Sequence, residues 1–455
     1  MKNKHIIHLY NRVGFGILPQ NLDKLSRFSM KENVNYLFKK SKTITPIIVD
    51  TSKLENIKSL DKNDEKKRML QKENRRLLAN LNSEWYYQLN HSTELLRDKM
   101  TLFWANHFVC AENDVLQTQQ YLLVLKKNAL GNFRDFVLEI SKTPMMIKYL
   151  NNQQNRKENP NENYARELME LFTLGNGHYT ETDIKESARA FTGWSSNKTT
   201  FIFRAKHHDF GSKTFLGKTG TFNGTDIIDI ILEQPQCALF ISKKIYKEFV
   251  NPTPNQEHIT QMANVFRKNY DISDLMEFVL TSDWFYEDKN IGVKIKSPVE
   301  LLVGIQKVIP YTFNKTKYFQ YLQFNLGQKL LYPPNVAGWP GNKQWIDANT
   351  IMLRLKLTST IAQQKEIELE PEVAFEDDFE TFNKRKNNKN KLLFTTVDWQ
   401  EFNQQIKNTN ATDWQEVLIG SSLNQNTVDF IKKINTNNIK EFCIALMSLP
   451  EYQMC

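Results

Sequence analysis

The sequence predicts a mainly α protein, a multi-helix orthogonal array with one small β-hairpin near residues 200–217. Three observations carry this. Apolar residues recur at helical spacing along almost the whole chain. The one long break in that rhythm is TTFIFRAKHHDFGSKTFLG, residues 199–217, where β-branched and aromatic residues alternate. The uninterrupted apolar runs fall far short of the ~20 residues a membrane-spanning helix requires. At 455 residues the chain exceeds the ~250–300 that a single core supports, so more than one packing unit is expected.

Taken in order, residues 8–16 read as a short helix running into the Gly14-Phe15-Gly16 turn. Pro19 suits the first turn of the next helix, which extends to about residue 40. Residues 41–60 read as a loop and 62–76 as a charged, solvated helix. Residues 84–111 form a helix pair or one long helix, with Leu96, Met100, Phe103 and His107 on a single stripe. Two amphipathic helices, 118–129 and 132–141, flank Gly131. The polar stretch 151–162, broken by Pro160, is a loop.

The densest block of polar and aromatic groups follows, NENYARELMELFTLGNGHYTETDIKESARAFTGW, residues 161–194. Its first helix, 163–174, is apolar over a wide stripe through Tyr164, Leu168 and Leu171. Arg166 and Glu170 are four apart and can pair, with Glu167 on the next row. Gly175 and Gly177 stop the helix. Thr180 and Asp183 are a variant capping box opening a second helix that ends at Gly193.

The expected hairpin pairs residues 200–204 with 213–216, and its connection carries His207, His208 and Asp209. Residues 224–309 return to helices. Pro333–Trp345, PPNVAGWPGNKQW, is a long loop carrying Trp339 and Trp345, followed by a helix over 347–364. Three regions are expected: a main helical body over 1–365, an acidic-then-basic linker or insertion over 366–391, and C-terminal helices over 392–455 that pack back on the body.

Composition excludes little about function. The 40% hydrophobic and 24% charged fractions are those of a globular protein, and the net charge of +9 is compatible with an anionic ligand or with solvated lysines. Cys110, Cys237, Cys443 and Cys455 have no metal-like spacing and read as free thiols in a reducing compartment. The start, MKNKHIIHLYNRVGFG, lacks the apolar run of a signal peptide, so a cytoplasmic location is expected. No nucleic-acid motif, GxSxG, P-loop, GxGxxG or CxxCH is present.

Two functional readings stand. In one, Glu167, Glu170, His107, His208 and Asp209 converge as acid, base or ligand groups, and a divalent metal is the cofactor such groups would hold. The local spacing matches neither Glu-x-x-His nor His-Glu-x-x-His. Arg12, Asn106, Asn163, Arg166, His178, Trp194 and Trp339 would then line the substrate, with tryptophan faces stacking on a glycan or another polar polymer that a hydrolase would cut. In the other reading the same groups are a structural network inside a binding or assembly protein. His107 would meet Glu167 or Glu170, because a buried imidazole needs partners.

NENYARELMELFTLG resembles the signature of an uncharacterised bacterial family, domain of unknown function 1800. HLYNRVGFG, FWANHF, ARAFTGW, HHDFGSKTFLG, KIKSPVELL and PPNVAGWPGNKQWI are similar to further family segments, in the family's order, over most of residues 1–357. Many relatives carry histidine where Ala105 stands, which would make a His-x-His pair with His107; this chain has lost half of it. The resemblance implies a mostly helical protein, export in many relatives, and a sulfatase-like protein encoded nearby as a partner. It implies no known reaction.

Overall fold

The computed structural model describes residues 1–59, 63–369, 393–420 and 423–455. They form a mainly α protein whose only sheets, among the described residues, are three two-stranded antiparallel pairs. No described helix is long and apolar enough to cross a membrane. The stretch expected as one helix up to residue 40 is two, Pro19–Ser26 and Met30–Lys40, because Ser29 and Glu32 form a capping box that restarts the chain. The 41–60 stretch contains a short helix, Ser52–Lys58. The charged run 64–76 continues into EWYYQLN as one helix, Asp64–His91, since nothing between them breaks it. A second helix, Leu95–His107, starts after the break at Ser92–Glu94.

The central helix begins as α at Asn163–Glu167 and widens into a π-helix over Leu168–Thr173. The capping box of Thr180 and Asp183 opens helix Glu181–Ala190 as the sequence predicts. The region around residue 200 holds two hairpins rather than one. Strand β1 (Trp194–Asn197) pairs with β2 (Thr200–Phe203), and β3 (Lys213–Phe215) with β4 (Lys218–Gly220). The turns sit at Lys198 and at Leu216-Gly217, where φ is positive. The sequence pairing of 200–204 with 213–216 therefore does not occur.

The C-terminal segment joins the body at several places. Strand β5 (Tyr311–Phe313) pairs with β6 (Thr395–Val397), and Cys455 exchanges backbone hydrogen bonds with Lys294. Of the expected linker, residues 370–391 lie outside the described residues. Ile367, just before them, is buried and donates its amide to Leu393. One continuous core gathers aromatic and aliphatic side chains from Ile6 to Tyr452.

Candidate functional site

The π-helix explains the surroundings of His107. Leu174 and Gly175 amides both reach Met169 O, at 2.9 and 3.0 Å. This widened turn leaves carbonyls for side chains. His107 Nε2 donates to Phe172 O at 3.0 Å, Lys244 Nζ to Leu171 O at 3.3 Å, and Gln236 Nε2 to Leu174 O at 2.9 Å. His107 is sealed, with Phe108 and Trp104 edge-on at 4.5 and 5.2 Å and Phe172 at 6.0 Å. Burial, and then the charge of Lys244, hold its imidazole well below the ordinary value, so the ring is neutral. Its partner is a backbone carbonyl rather than Glu167 or Glu170.

Burial, followed by the charge of Lys247, pushes the Lys244 amine down to about 8. Keeping it protonated therefore costs the folded state most below that pH. The cost fades as pH rises towards the ordinary lysine value of ~10.4. Lys244→Met removes this dependence. Its stability relative to wild type should fall between pH ~7 and pH ~10, read by urea denaturation; an equal offset at both pH values would count against a perturbed amine.

Glu167 and Glu170 lie together and are half-buried. Burial raises the Glu167 carboxyl, Glu170 raises it further, and Arg166 opposes both. Glu170 accepts from Tyr179 Oη at 3.1 Å. Arg166 does not pair with Glu170. It forks onto both oxygens of Glu181 at 2.9 Å and reaches Glu162 at 3.2 Å. The π turn is the reason, since a wider helix no longer stacks residues four apart. Asn163 and His178 are exposed.

His208 is buried, and its Nδ1 donates to Thr192 O at 2.8 Å. Asp209 accepts from Arg189 Nε at 2.7 Å and from the Gly211 amide at 2.8 Å. Arg189 also holds Glu186, which takes the Thr214 amide. These bonds fasten the His207–Asp209 loop to helix Glu181–Ala190. Gly193, at φ +79°, lets the loop approach so closely that a Cβ would sit 2.7 Å from Arg204 O. Trp194 is enclosed between Phe191 and Phe201, with Lys142 Nζ 5.5 Å from its ring.

Asn106 clamps the proline-rich loop. Its Oδ1 accepts from the Trp339 amide at 2.6 Å, and Gly338, at φ +91°, passes against it. Trp339 is 5% exposed and plugs the core. Arg12 is buried too. It donates to Asn290 O at 2.9 Å, while Nε and Nη1 find no hydrogen-bond partner.

Arg12 borders an ion network that sequence reasoning missed. Lys99 and Lys294 both bind Glu300, the latter at 3.0 Å, and Lys294 also contacts Glu248. Lys99, Lys294 and Glu300 are each under 5% exposed. One signal was available: Ser297 with Glu300 spells a capping box. Phe15, at φ +61°, lies between the amines of Lys99 and Lys307, at 5.0 and 5.7 Å.

The predicted groups thus form separate arrangements: His107 under the π turn, the Glu167–Glu170 pair beside it, His208 and Asp209 on the next helix, and Asn106 with Trp339 beneath the loop. Among the described residues, no three His, Cys, Asp or Glu side chains are placed to hold a metal ion. A family model described as Protein of unknown function (DUF1800) matches residues 8–454. No curated protein and no solved structure matches the chain.

Proposed function

Because that match spans nearly the whole chain, the protein belongs to the DUF1800 family, and we propose that it is a non-catalytic binding protein whose polar centre holds the fold. The observation that carries this reading is His107. Its one hydrogen bond closes the π-helix onto helix Leu95–His107, and aromatic rings surround the rest of it. A neutral, sealed imidazole is poorly placed to meet a substrate. His208, Asp209 and Asn106 are likewise engaged with backbone or with arginine. A glycan is the ligand class retained from the sequence, and a sulfatase-like protein the partner that the family resemblance suggests.

One observation favours a hydrolase instead: Glu167 is a half-buried carboxyl raised in pKa beside a second carboxylate. Paired variants separate the readings. His107→Phe should cost about 1–3 kcal/mol in urea denaturation, the penalty for leaving the Phe172 carbonyl unpaired. Glu167→Gln should unfold within about 0.5 kcal/mol of wild type, as substitutions away from buried networks do. If His107→Phe is as stable as wild type but loses bound metal present in the wild-type protein, the binding reading fails.

A further inference from the structure

Two neighbouring loops carry cations that nothing neutralises. Arg156 and Lys157 lie in a turn closed by the Asn159 amide on Arg156 O at 3.0 Å, and Arg204 and Lys206 lie between β2 and β3. All four side chains are exposed and make no ion pair among the described residues, unlike Arg166 and Arg189, each of which holds two carboxylates. Backbone bonds join the loops into one surface. The Lys157 amide donates to His207 O at 2.9 Å, the Gly193 amide to Asn155 O at 3.0 Å and the Arg204 amide to Gly193 O at 2.8 Å. Partial desolvation, and then the charges of Arg156, Lys206 and Arg204, hold the His207 imidazole below its ordinary value, and Glu158 is the one carboxylate opposing them. Behind this face Asp209 and Glu186 are balanced by Arg189 and Lys213.

Phenylalanine rings flank the same loop. Phe203 is 45% exposed and Phe210 65%, the most of any large apolar side chain described. Both rest on the buried His208 ring, with centroids at 5.2 and 4.7 Å. The backbone between them has settled its own hydrogen bonds. Amides of Arg204, His207 and His208 reach Gly193 O, Arg204 O and Ala205 O, and those of Asp209 and Gly211 reach Thr192 Oγ1 and Asp209 Oδ1. Amides left bare dominate the cost of moving backbone out of water, so a segment in this condition loses little. Phenylalanine, with no polar handle, gains from the same transfer.

We propose that this face attaches the protein to a bilayer bearing anionic lipids, with Phe203 and Phe210 entering the headgroup boundary and Arg156, Lys157, Arg204 and Lys206 meeting lipid phosphates. Apolar anchors among cations suit such a surface, because burial and attraction to the anionic leaflet add. A single-stranded nucleic acid fits less well. His208 fills the space between the rings, so no base can slot there, and nearby groups that could read one are spent: His208 Nδ1 on Thr192 O, and Asn155 Nδ2 on Ala188 O. An acidic polypeptide would use the cations and leave both phenylalanines in water. The attachment goes beyond the binding reading and stands without it.

The full chain is sedimented with vesicles of phosphatidylcholine and with vesicles that also contain phosphatidylglycerol, at low and high salt. A single-stranded oligonucleotide and polyglutamate are titrated in parallel. The chain should sediment with the anionic vesicles only, and raised salt should release it. Phe203→Ser/Phe210→Ser and Arg156→Gln/Arg204→Gln/Lys206→Gln should each weaken vesicle binding by about tenfold or more. The charge variant alters exposed side chains alone, so its melting temperature should match the wild type, and it keeps the test decisive if losing the rings loosens His208. No sedimentation with anionic vesicles, equal sedimentation with neutral ones, or a folded variant of either kind that binds like the wild type overturns the proposal. So does a chain that ignores vesicles yet binds the oligonucleotide or polyglutamate through the same cations.

Discussion

Glu300→Gln should lower the unfolding free energy by about 3–5 kcal/mol, the range for breaking a buried ion pair by removing one partner. Glu300 is 4% exposed and serves three donors at once: the Lys99 amine, the Lys294 amine at 3.0 Å and the Ser297 amide at 2.5 Å. Glutamine keeps the shape and an acceptor for the amide but removes the charge. Arg12, Lys99 and Lys294 would then be left with Glu248, joined for Arg12 and Lys99 by Cys455, and Glu248 reaches solvent, its side chain 34% exposed. Removing a cation as well should relieve the excess, so Glu300→Gln/Lys99→Met should recover part of the loss. Urea denaturation checks both. A single variant within about 1 kcal/mol of wild type would mean that this network does not hold the Asn3–Gly14, Leu95–His107 and Pro298–Val308 helices together.

Those helices were legible in the sequence, and their partners were not. Periodicity identified the helix carrying Leu96, Met100 and His107 because one apolar stripe repeats along it. Thr180 and Asp183 were legible because a cap is local. The π segment was not, since one widened turn of six residues leaves no periodic trace. Its consequences were hidden with it. Arg166 turned to Glu181, and His107 found Phe172 O, an acceptor with no residue type by which sequence could single it out. The ion network draws on segments near 12, 99, 248 and 300, so its charges were visible singly but not as a group. The second hairpin escaped because its turn places Leu216 at φ +46°, where glycine or asparagine is the usual sign. A cleft of about 960 Å3 between helix Met30–Lys40, the end of helix Asp64–His91 and helix Trp399–Ile406 was hidden for the same reason, since it joins helix faces to the connections at 16–18 and 92–93 and the strand at 396–397, segments far apart in the chain.

Lys126→Met should also cost about 3–5 kcal/mol, and unlike the Glu300 variant its deficit should shrink as pH falls. Lys126 is fully buried, with its amine 2.8 Å from Asp98, 3.3 Å from Glu94 and 3.0 Å from Gln88 Oε1. Arg97 cannot replace it, because its guanidinium is spent on the carbonyls of Ser41, Lys126 and Lys127. Burial already raises the Asp98 carboxyl even with Lys126 present. Without the amine it rises further, so the folded variant holds a proton that the unfolded chain has released. Stability then increases as pH drops towards the ordinary carboxylate range of ~4. The variant should therefore lie closer to wild type at pH ~5 than at pH ~8 in urea denaturation. Lys126→Met/Asp98→Asn, which removes the stranded charge, should lose that pH dependence. Glu94 also ties down Thr45, through the amide at 3.1 Å and the hydroxyl at 2.5 Å. The network thus fixes the break at Ser92–Glu94, and Ser92 and Thr93 line the cleft. A deficit that is small and independent of pH would show that this break, and the cleft wall it forms, is held by apolar packing instead.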